Sequence, residues 1–298
     1  MKTVATRRHF IQSLSAAAMA ASVSSFAQAP AKSYKIIGFT KPFQDLDHEQ
    51  TADTVAQIGW DGIEIPVRPK GQIEPERAAD ELPKLIEALK KRGREITVIT
   101  TSITTADQPD AAPLLRTAVK LGIKRYRLGF FKYTEKKSIP EQVREFTAQL
   151  KDVAAMNKEI GITGGIQNHS GRDSFGAAVW DIWTAIKDLD PRHLGNFFDI
   201  GHASIEGGSS WPIEARLMAP HFMTVSVKDF VWEKTVQGAR SKWVPLGEGL
   251  LNKSFFTWLK TTNFDGPISH HAEYEHGQGR ETIERLRRDV EVLRGWLA

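Results

Sequence analysis

The chain has 298 residues, 41% hydrophobic and 26% charged, with no cysteine; this is the make-up of a globular protein with a large core, and it excludes disulfide and thiolate chemistry. The formal charge of +4 owes three units to Lys2, Arg7 and Arg8, which precede the first acidic residue, Asp45, so loss of residues 1–27 would leave +1. A nearly neutral remainder gives no electrostatic case for binding nucleic acid, and no later apolar run reaches the ~18 residues of a membrane span.

At the N-terminus, Thr6-Arg7-Arg8-His9-Phe10-Ile11-Gln12 places paired arginines before the apolar, acid-free run Leu14-Ser15-Ala16-Ala17-Ala18-Met19-Ala20-Ala21. This is similar to a twin-arginine export signal, and implies delivery to the periplasm by the twin-arginine machinery. Cleavage after Ala27 fits the small-x-small pattern of Ser25-Phe26-Ala27 and leaves residues 28–34 as a linker; cleavage after Ala29 would place Pro30 at the new terminus. The competing reading, a basic amphipathic helix on the folded domain, lacks both acidic residues and apolar periodicity.

From residue 34 onward, short β-branched runs alternate with longer helical patterns. Strands are predicted over Tyr34–Thr40, Gly62–Ile65, Glu95–Thr101 and Arg125–Leu128, with helices over Glu49–Ile58, Glu76–Lys91, Ala111–Leu121 and Pro140–Ile160. The second half continues with strands at Thr163–Gln167, Leu194–Asp199, Phe222–Val227 and Pro267–Glu273, and helices at Phe175–Leu189, Ile213–Met218, Phe255–Thr261 and Thr282–Leu297. Glycines at 59, 93, 122 and 161 stand where helices turn back, as left-handed caps require. Eight strand-helix pairs predict a single (β/α)8 TIM barrel over residues 35–298. A doubly wound open sheet is the alternative, but the first strand leads into Gly38-Phe39-Thr40-Lys41-Pro42, with no glycine-rich phosphate turn.

In such a barrel the chemistry collects after the carboxyl ends of the strands. Read there, the sequence offers Thr40, Lys41, Glu64, Thr101, Ser102, Gly129, Gln167, Asn168, His169, Asp199, His202, Lys228, Asp229, His271, Glu273 and Tyr274. So many polar groups converging on one mouth form a polar pocket with metal-compatible donors. Asp199 would otherwise cap the turn that follows it. Glu64, His202 and His271 are candidates for substrate contacts, while His270 and His221 point away from the mouth by strand alternation. Lys228 is placed to polarise a carbonyl or to pair with Asp229 or Glu248. Trp232 and Trp243, in a long predicted loop, suit either stacking on a sugar ring or loop packing.

Gly59-Trp60-Asp61-Gly62-Ile63-Glu64-Ile65, Phe198-Asp199-Ile200-Gly201-His202, Val227-Lys228-Asp229, Leu246-Gly247-Glu248-Gly249 and Ala272-Glu273-Tyr274 occur in this order. The series resembles the xylose-isomerase-like TIM barrel family, the sugar phosphate isomerases and epimerases related to endonuclease IV, over about Lys35 to Leu297. In that family's keto-sugar epimerases a divalent metal is held by a glutamate after the fifth strand, an aspartate after the sixth, a histidine on the seventh and a glutamate after the eighth. The resemblance carries Asp199 and Glu273 over; it meets Gln167 where the first glutamate is expected and Ser226 where the histidine is expected.

A glutamine cannot accept a proton, so two-base epimerisation through Gln167 is not supported. The resemblance still implies manganese or magnesium on Gln167, Asp199 and Glu273, with His169 or His271 as a substitute ligand. The function it implies is an exported enzyme abstracting a proton beside the carbonyl of a neutral keto-sugar, with Glu273, His169 and Lys228 as catalytic candidates. Elimination or hydration at a keto-glycoside needs only one base and a Lewis acid and stands beside it. A non-catalytic periplasmic sugar-binding barrel is the reading from another class. A nuclease would need a richer metal cluster and a basic face.

Overall fold

In the computed structural model, which describes residues 32–236 and 238–298, Tyr34–Ala298 forms one unit. Its strands are β1 (Ile36–Phe39), β2 (Gly62–Pro66), β3 (Ile96–Thr100), β4 (Arg125–Arg127), β5 (Thr163–Gln167), β6 (Leu194–Asp199), β7 (Phe222–Val227), β8 (Asp229–Thr235), β9 (Gly238–Val244) and β10 (Ile268–His270). All but β8 and β9 are parallel and close in the order β1-β10-β7-β6-β5-β4-β3-β2, the (β/α)8 barrel the alternating pattern predicts. The helices are α1 (His48–Ile58), α2 (Ala78–Lys90), α3 (Ala111–Lys120), α4 (Ile139–Ile160), α5 (Val179–Ile186), α6 (Ile200–Gly207), α7 (Trp211–Met218), α8 (Ser254–Leu259) and α9 (Arg280–Leu297).

Strand alternation sorts side chains between two cores. One set, including Ile36, Ile63, Ile65, Ile99, Phe198, Val225 and Val227, belongs to the large core shared with the helices. The other set turns into the barrel, where Ile37, Val98, Phe197 and Met223 make a small separate apolar cluster. Gly165 admits Met223 to that space, since a Cβ there would stand 2.3 Å from the methionine Cε. Further along the same inward rows the residues become polar: Glu64, Thr100, Arg127, Gln167, Asp199, Ser226 and Ser269, all buried. The barrel thus has an apolar inner layer with an ionisable layer toward its mouth, and the second layer positions the site.

Helix ends follow the local signals. Asp47 caps α1 by accepting the Gln50 N–H while Gln50 returns a bond to the Asp47 backbone, and Gly59 ends the helix at φ 91°, a conformation that favours glycine.

Several expectations shift. α5 begins at Val179 rather than Phe175, because Phe175 packs among Phe131, Tyr133 and Phe146 and Gly176 adopts φ 91° while donating its N–H to Asp181. The long loop carrying Trp232 and Trp243 is the antiparallel β8–β9 hairpin. A helix, α6, starts directly after Asp199. The last strand stops at His270, and Glu273 lies in the segment that leaves it. The expected export signal, residues 1–27, and most of the linker lie outside the described residues. Among the described residues no helix is long and apolar enough to cross a membrane.

Candidate active site

Glu64, on β2, is the hub of the polar layer. Its Oε1 accepts from Thr100 Oγ1 at 2.5 Å and Arg127 Nε at 3.1 Å; its Oε2 accepts from Ser269 Oγ at 2.6 Å and meets His271 Nε2 at 2.8 Å. Burial opposes its charge, yet His271 and Arg127 bring its pKa down to about 2. With every lone pair engaged by protein groups, Glu64 orders the site and has no free capacity for substrate.

Arg127 extends the network. Its Nη1 donates to Gln167 Oε1, and its guanidinium lies over the Phe39, Phe130 and Phe197 rings. The Gln167 amide nitrogen donates in turn to Asp199 Oδ2 at 2.9 Å and Ser226 Oγ at 3.4 Å. These partners fix the amide orientation, since the flipped form would aim oxygen at a carboxylate and N–H at a guanidinium.

Asp199 divides its work between two oxygens. Oδ1 caps α6 by accepting the His202 N–H at 2.9 Å. Oδ2 faces Gln167 and the Lys228 ammonium, 3.3 Å away. Lys228 Nζ also donates to Glu273 Oε1 at 2.8 Å and lies 4.7 Å from the centre of the Trp243 ring. Burial works against the charge on both carboxylates, but Lys228 beside them holds each below the ordinary carboxylate range. His271 bridges Glu64 and Glu273, its Nδ1 3.8 Å from Glu273 Oε1; burial disfavours its charge, and the two carboxylates nonetheless hold its pKa above the ordinary value.

Two further imidazoles lie together, His169 and His202, with ring centres 3.9 Å apart. His169 Nδ1 is 2.8 Å from the Ser170 carbonyl, which makes Nδ1 the protonated nitrogen and leaves Nε2 with a lone pair. His202 Nδ1 accepts from the Ser170 N–H at 3.2 Å, so its proton sits on Nε2. That Nε2 is buried and has no hydrogen-bond partner; Asp199 Oδ2, at 3.9 Å, is too distant. Burial, reinforced by Lys228, lowers the pKa of both rings, keeping them neutral near pH 7.

The β8–β9 hairpin brings its aromatic face to this cluster. Trp243 meets the His202 ring edge-on at 5.1 Å and packs near Phe230, which also touches Trp232. Trp232 is farther out and 49% exposed. Asp229 does not pair with Lys228. It accepts four backbone N–H groups, from Phe230, Gly247, Gly249 and Leu251, so the Leu246-Gly247-Glu248-Gly249 motif is a turn folded on a carboxylate. His270 turns outward to Asp289, shared with Tyr274.

The structure therefore brings Glu64, Gln167, His169, Asp199, His202, Lys228, Trp243, His271 and Glu273 to one mouth and leaves Trp232 at its outer edge. Sequence reasoning missed Arg127, whose signal is a charged residue at an inward position of a strand between Tyr126 and Leu128. It also missed Ser170, which sets the tautomers of both imidazoles, and Arg68, a half-buried guanidinium that interacts electrostatically with Arg127, Glu64 and Glu273.

The donor set does not fit the divalent metal that the resemblance implies. The Gln167 oxygen is given to Arg127, its N–H groups face Asp199, position 226 offers a hydroxyl, and a lysine ammonium lies between Asp199 and Glu273. His271 is engaged with Glu64. Among the described residues no group of three or more His, Cys, Asp or Glu is disposed to hold a metal ion.

Residues 52–296 match the model of the Xylose isomerase-like TIM barrel family, and the chain belongs to that family. No curated protein matches the sequence. Among solved structures, the apo 3-keto-D-glucoside 4-epimerase of E. coli is 15% identical with a TM-score of 0.68, over 88% of this chain and 100% of that one. A probable 3-DHS dehydratase from Bacillus anthracis is 15% identical with a TM-score of 0.66, over 88% and 99%. A xylose isomerase-like barrel protein from Mycobacterium smegmatis, in complex with magnesium, is also 15% identical, with a TM-score of 0.65 over 89% and 98%. At these identities the likeness is one of fold.

Proposed function

We propose that this chain is an exported enzyme of the sugar isomerase and epimerase type, which removes a proton next to the carbonyl of a neutral keto-sugar. The observation that carries this reading is the pair formed by the His169 Nε2 lone pair and the unpartnered, buried His202 Nε2–H, beside Lys228. A buried donor without a partner is costly unless a ligand satisfies it. In the proposed step the substrate C–H proton passes to His169 Nε2, the electron pair of that bond forms the carbon–carbon double bond of an enediolate, and the carbonyl π pair moves onto the carbonyl oxygen. His202 Nε2–H and the Lys228 ammonium donate hydrogen bonds to that oxygen as its charge grows.

Return of the proton to the other face or to the neighbouring carbon gives an epimer or an isomer. The family's metal does not fit the donor set, and no step is routed through it. Glu273 is a poor base here, because the Lys228 ammonium lowers its affinity for a proton. Gln167 supplies no second base either. That shortage favours elimination at a keto-glycoside as the second reading: the same proton is lost to His169, a carbon–carbon double bond forms as the carbon–oxygen bond at the β carbon breaks, and the leaving oxygen takes the proton from His169. The likeness in fold to both an epimerase and a dehydratase is compatible with either outcome. A periplasmic setting is supported by Arg7-Arg8 before an acid-free apolar run, and no cluster of Arg, Lys and Gly in the sequence marks a phosphate clamp.

The test is to incubate the purified protein with a panel of neutral keto-sugars and keto-glycosides in deuterated water and follow products by NMR. Deuterium at one carbon beside the carbonyl, lost in His169→Gln, is expected. Saturable sugar binding without exchange or product would instead identify a binding barrel.

A further inference from the structure

We infer that the cation of this site is the Lys228 ammonium itself, standing where the family's divalent ion would be held, and that this chain works without bound metal. The inference rests on the proposed proton transfer only for what the cation does. Lys228 is 2% exposed and bridges the two carboxylates that the family resemblance assigns to metal, at 2.8 Å from Glu273 and 3.3 Å from Asp199. The remaining positions agree with it. Where an anionic ligand is expected, Gln167 presents an amide N–H to Asp199, and where an imidazole is expected, Ser226 accepts from that same amide.

The backbone is also shaped to admit this lysine. A Cβ on Gly201 would lie 2.7 Å from the Lys228 carbonyl oxygen and 2.8 Å from its Cγ, so the glycine following Asp199-Ile200 leaves room for the stem that carries the ammonium. Charge gives an independent argument. The mouth holds three carboxylates, Glu64, Asp199 and Glu273, against three permanent cations, Lys228, Arg127 and Arg68. Counting only these permanently charged groups, with the titratable His271 left aside, it is balanced as it stands. A divalent ion would add two uncompensated positive charges to a buried pocket, next to an ammonium already in place. Unlike a metal ion, the ammonium is a directional donor with three N–H groups. Glu273 accepts one of them and Asp199 faces the ammonium as an ion pair, which leaves N–H capacity for a substrate oxygen beside the Trp243 ring.

The experiment uses the free-Mn²⁺ signal in electron paramagnetic resonance, with metal analysis of the full chain purified without chelator. Wild type should carry no stoichiometric divalent metal and leave the Mn²⁺ signal unchanged at equal concentrations. The double variant Gln167→Glu/Lys228→Met removes the ammonium and adds a carboxylate, and should bind Mn²⁺ at least tenfold more tightly than wild type. One equivalent of metal in wild type, with a thermal midpoint that falls on chelation, would overturn the inference. A folded double variant with no gain in Mn²⁺ affinity would overturn the assignment to Lys228; if the variant does not fold, the wild-type measurement decides. Absence of deuterium exchange with every sugar in a metal-free wild type would sink the proposed reaction and leave the inference about the cation standing.

Discussion

Asp199 shows how one side chain serves structure and chemistry together. One oxygen starts a helix and the other holds Lys228, so substitutions there act on both and report poorly on either. His169 is a cleaner probe. Its ring is partly exposed, and its one hydrogen bond goes to a neighbouring carbonyl. Burial and the Lys228 charge push its pKa below the ordinary histidine value. As the base it must be unprotonated, so kcat/KM for deuterium exchange should stay flat down through the ordinary histidine range and fall only at a pH below it. His169→Gln should lower the exchange rate by roughly 10²- to 10⁴-fold, the range of general-base catalysis, while the chain keeps its thermal midpoint. An unchanged rate would remove His169 from the mechanism.

At the scale of elements, the pieces inserted between barrel strands are what build this site. α6 follows Asp199 without a loop and presents His202, and the β8–β9 hairpin presents Trp243. Next to α6, α7 contains a stored electrostatic cost. Glu214 is 6% exposed, with one carboxylate oxygen buried and unpartnered. Burial, helped by the neighbouring Glu206, raises its pKa to about 6, against roughly 4.3 in an unfolded chain. The folded state therefore keeps this proton longer than the unfolded state. Stability from the group is fully present below about pH 4 and is lost as pH rises through about 6. Glu214→Gln should then be more stable than wild type by on the order of 2 kcal/mol at pH 8, with the gain fading below pH 5. Urea unfolding at both pH values checks this, and a variant less stable at both would mean that the carboxylate has a partner.

For the whole molecule, the closed parallel barrel leaves its own eight strands without an edge and puts all eight carboxyl ends at one mouth. Three carboxylates and three permanent cations are accommodated there because they neutralise one another across strands far apart in sequence; Glu64 and Ser269, in contact, are 205 residues apart. The proposed export is tested at the N-terminal arginines. Replacing Arg7 and Arg8 with lysine should leave the precursor in the cytoplasm, as read by fractionation and by its uncleaved mass. Arrival of that variant in the periplasm would refute a twin-arginine route.

The sequence by itself determined the barrel, because period-2 runs, glycine stops and helical periodicity are local, and eight repeats of them admit few topologies. It also placed Asp199, His169, Lys228 and Glu273 near strand ends. It did not determine their partners. Asp229 was an equal candidate to pair with Lys228, its neighbour in the chain, yet Asp229 is consumed by the Phe230 N–H and by three backbone N–H groups of a turn about twenty residues downstream, and the ammonium goes to Asp199 and Glu273 instead. Gln167 kept the position of a ligand, and only the approach of Arg127 across the barrel turned its oxygen away. The hairpin read as a loop because β8 and β9 are polar and largely exposed toward their outer end and carry too little apolar alternation to announce a sheet without each other. Which charges meet depends on strand order and register, and those exist only once the barrel has closed.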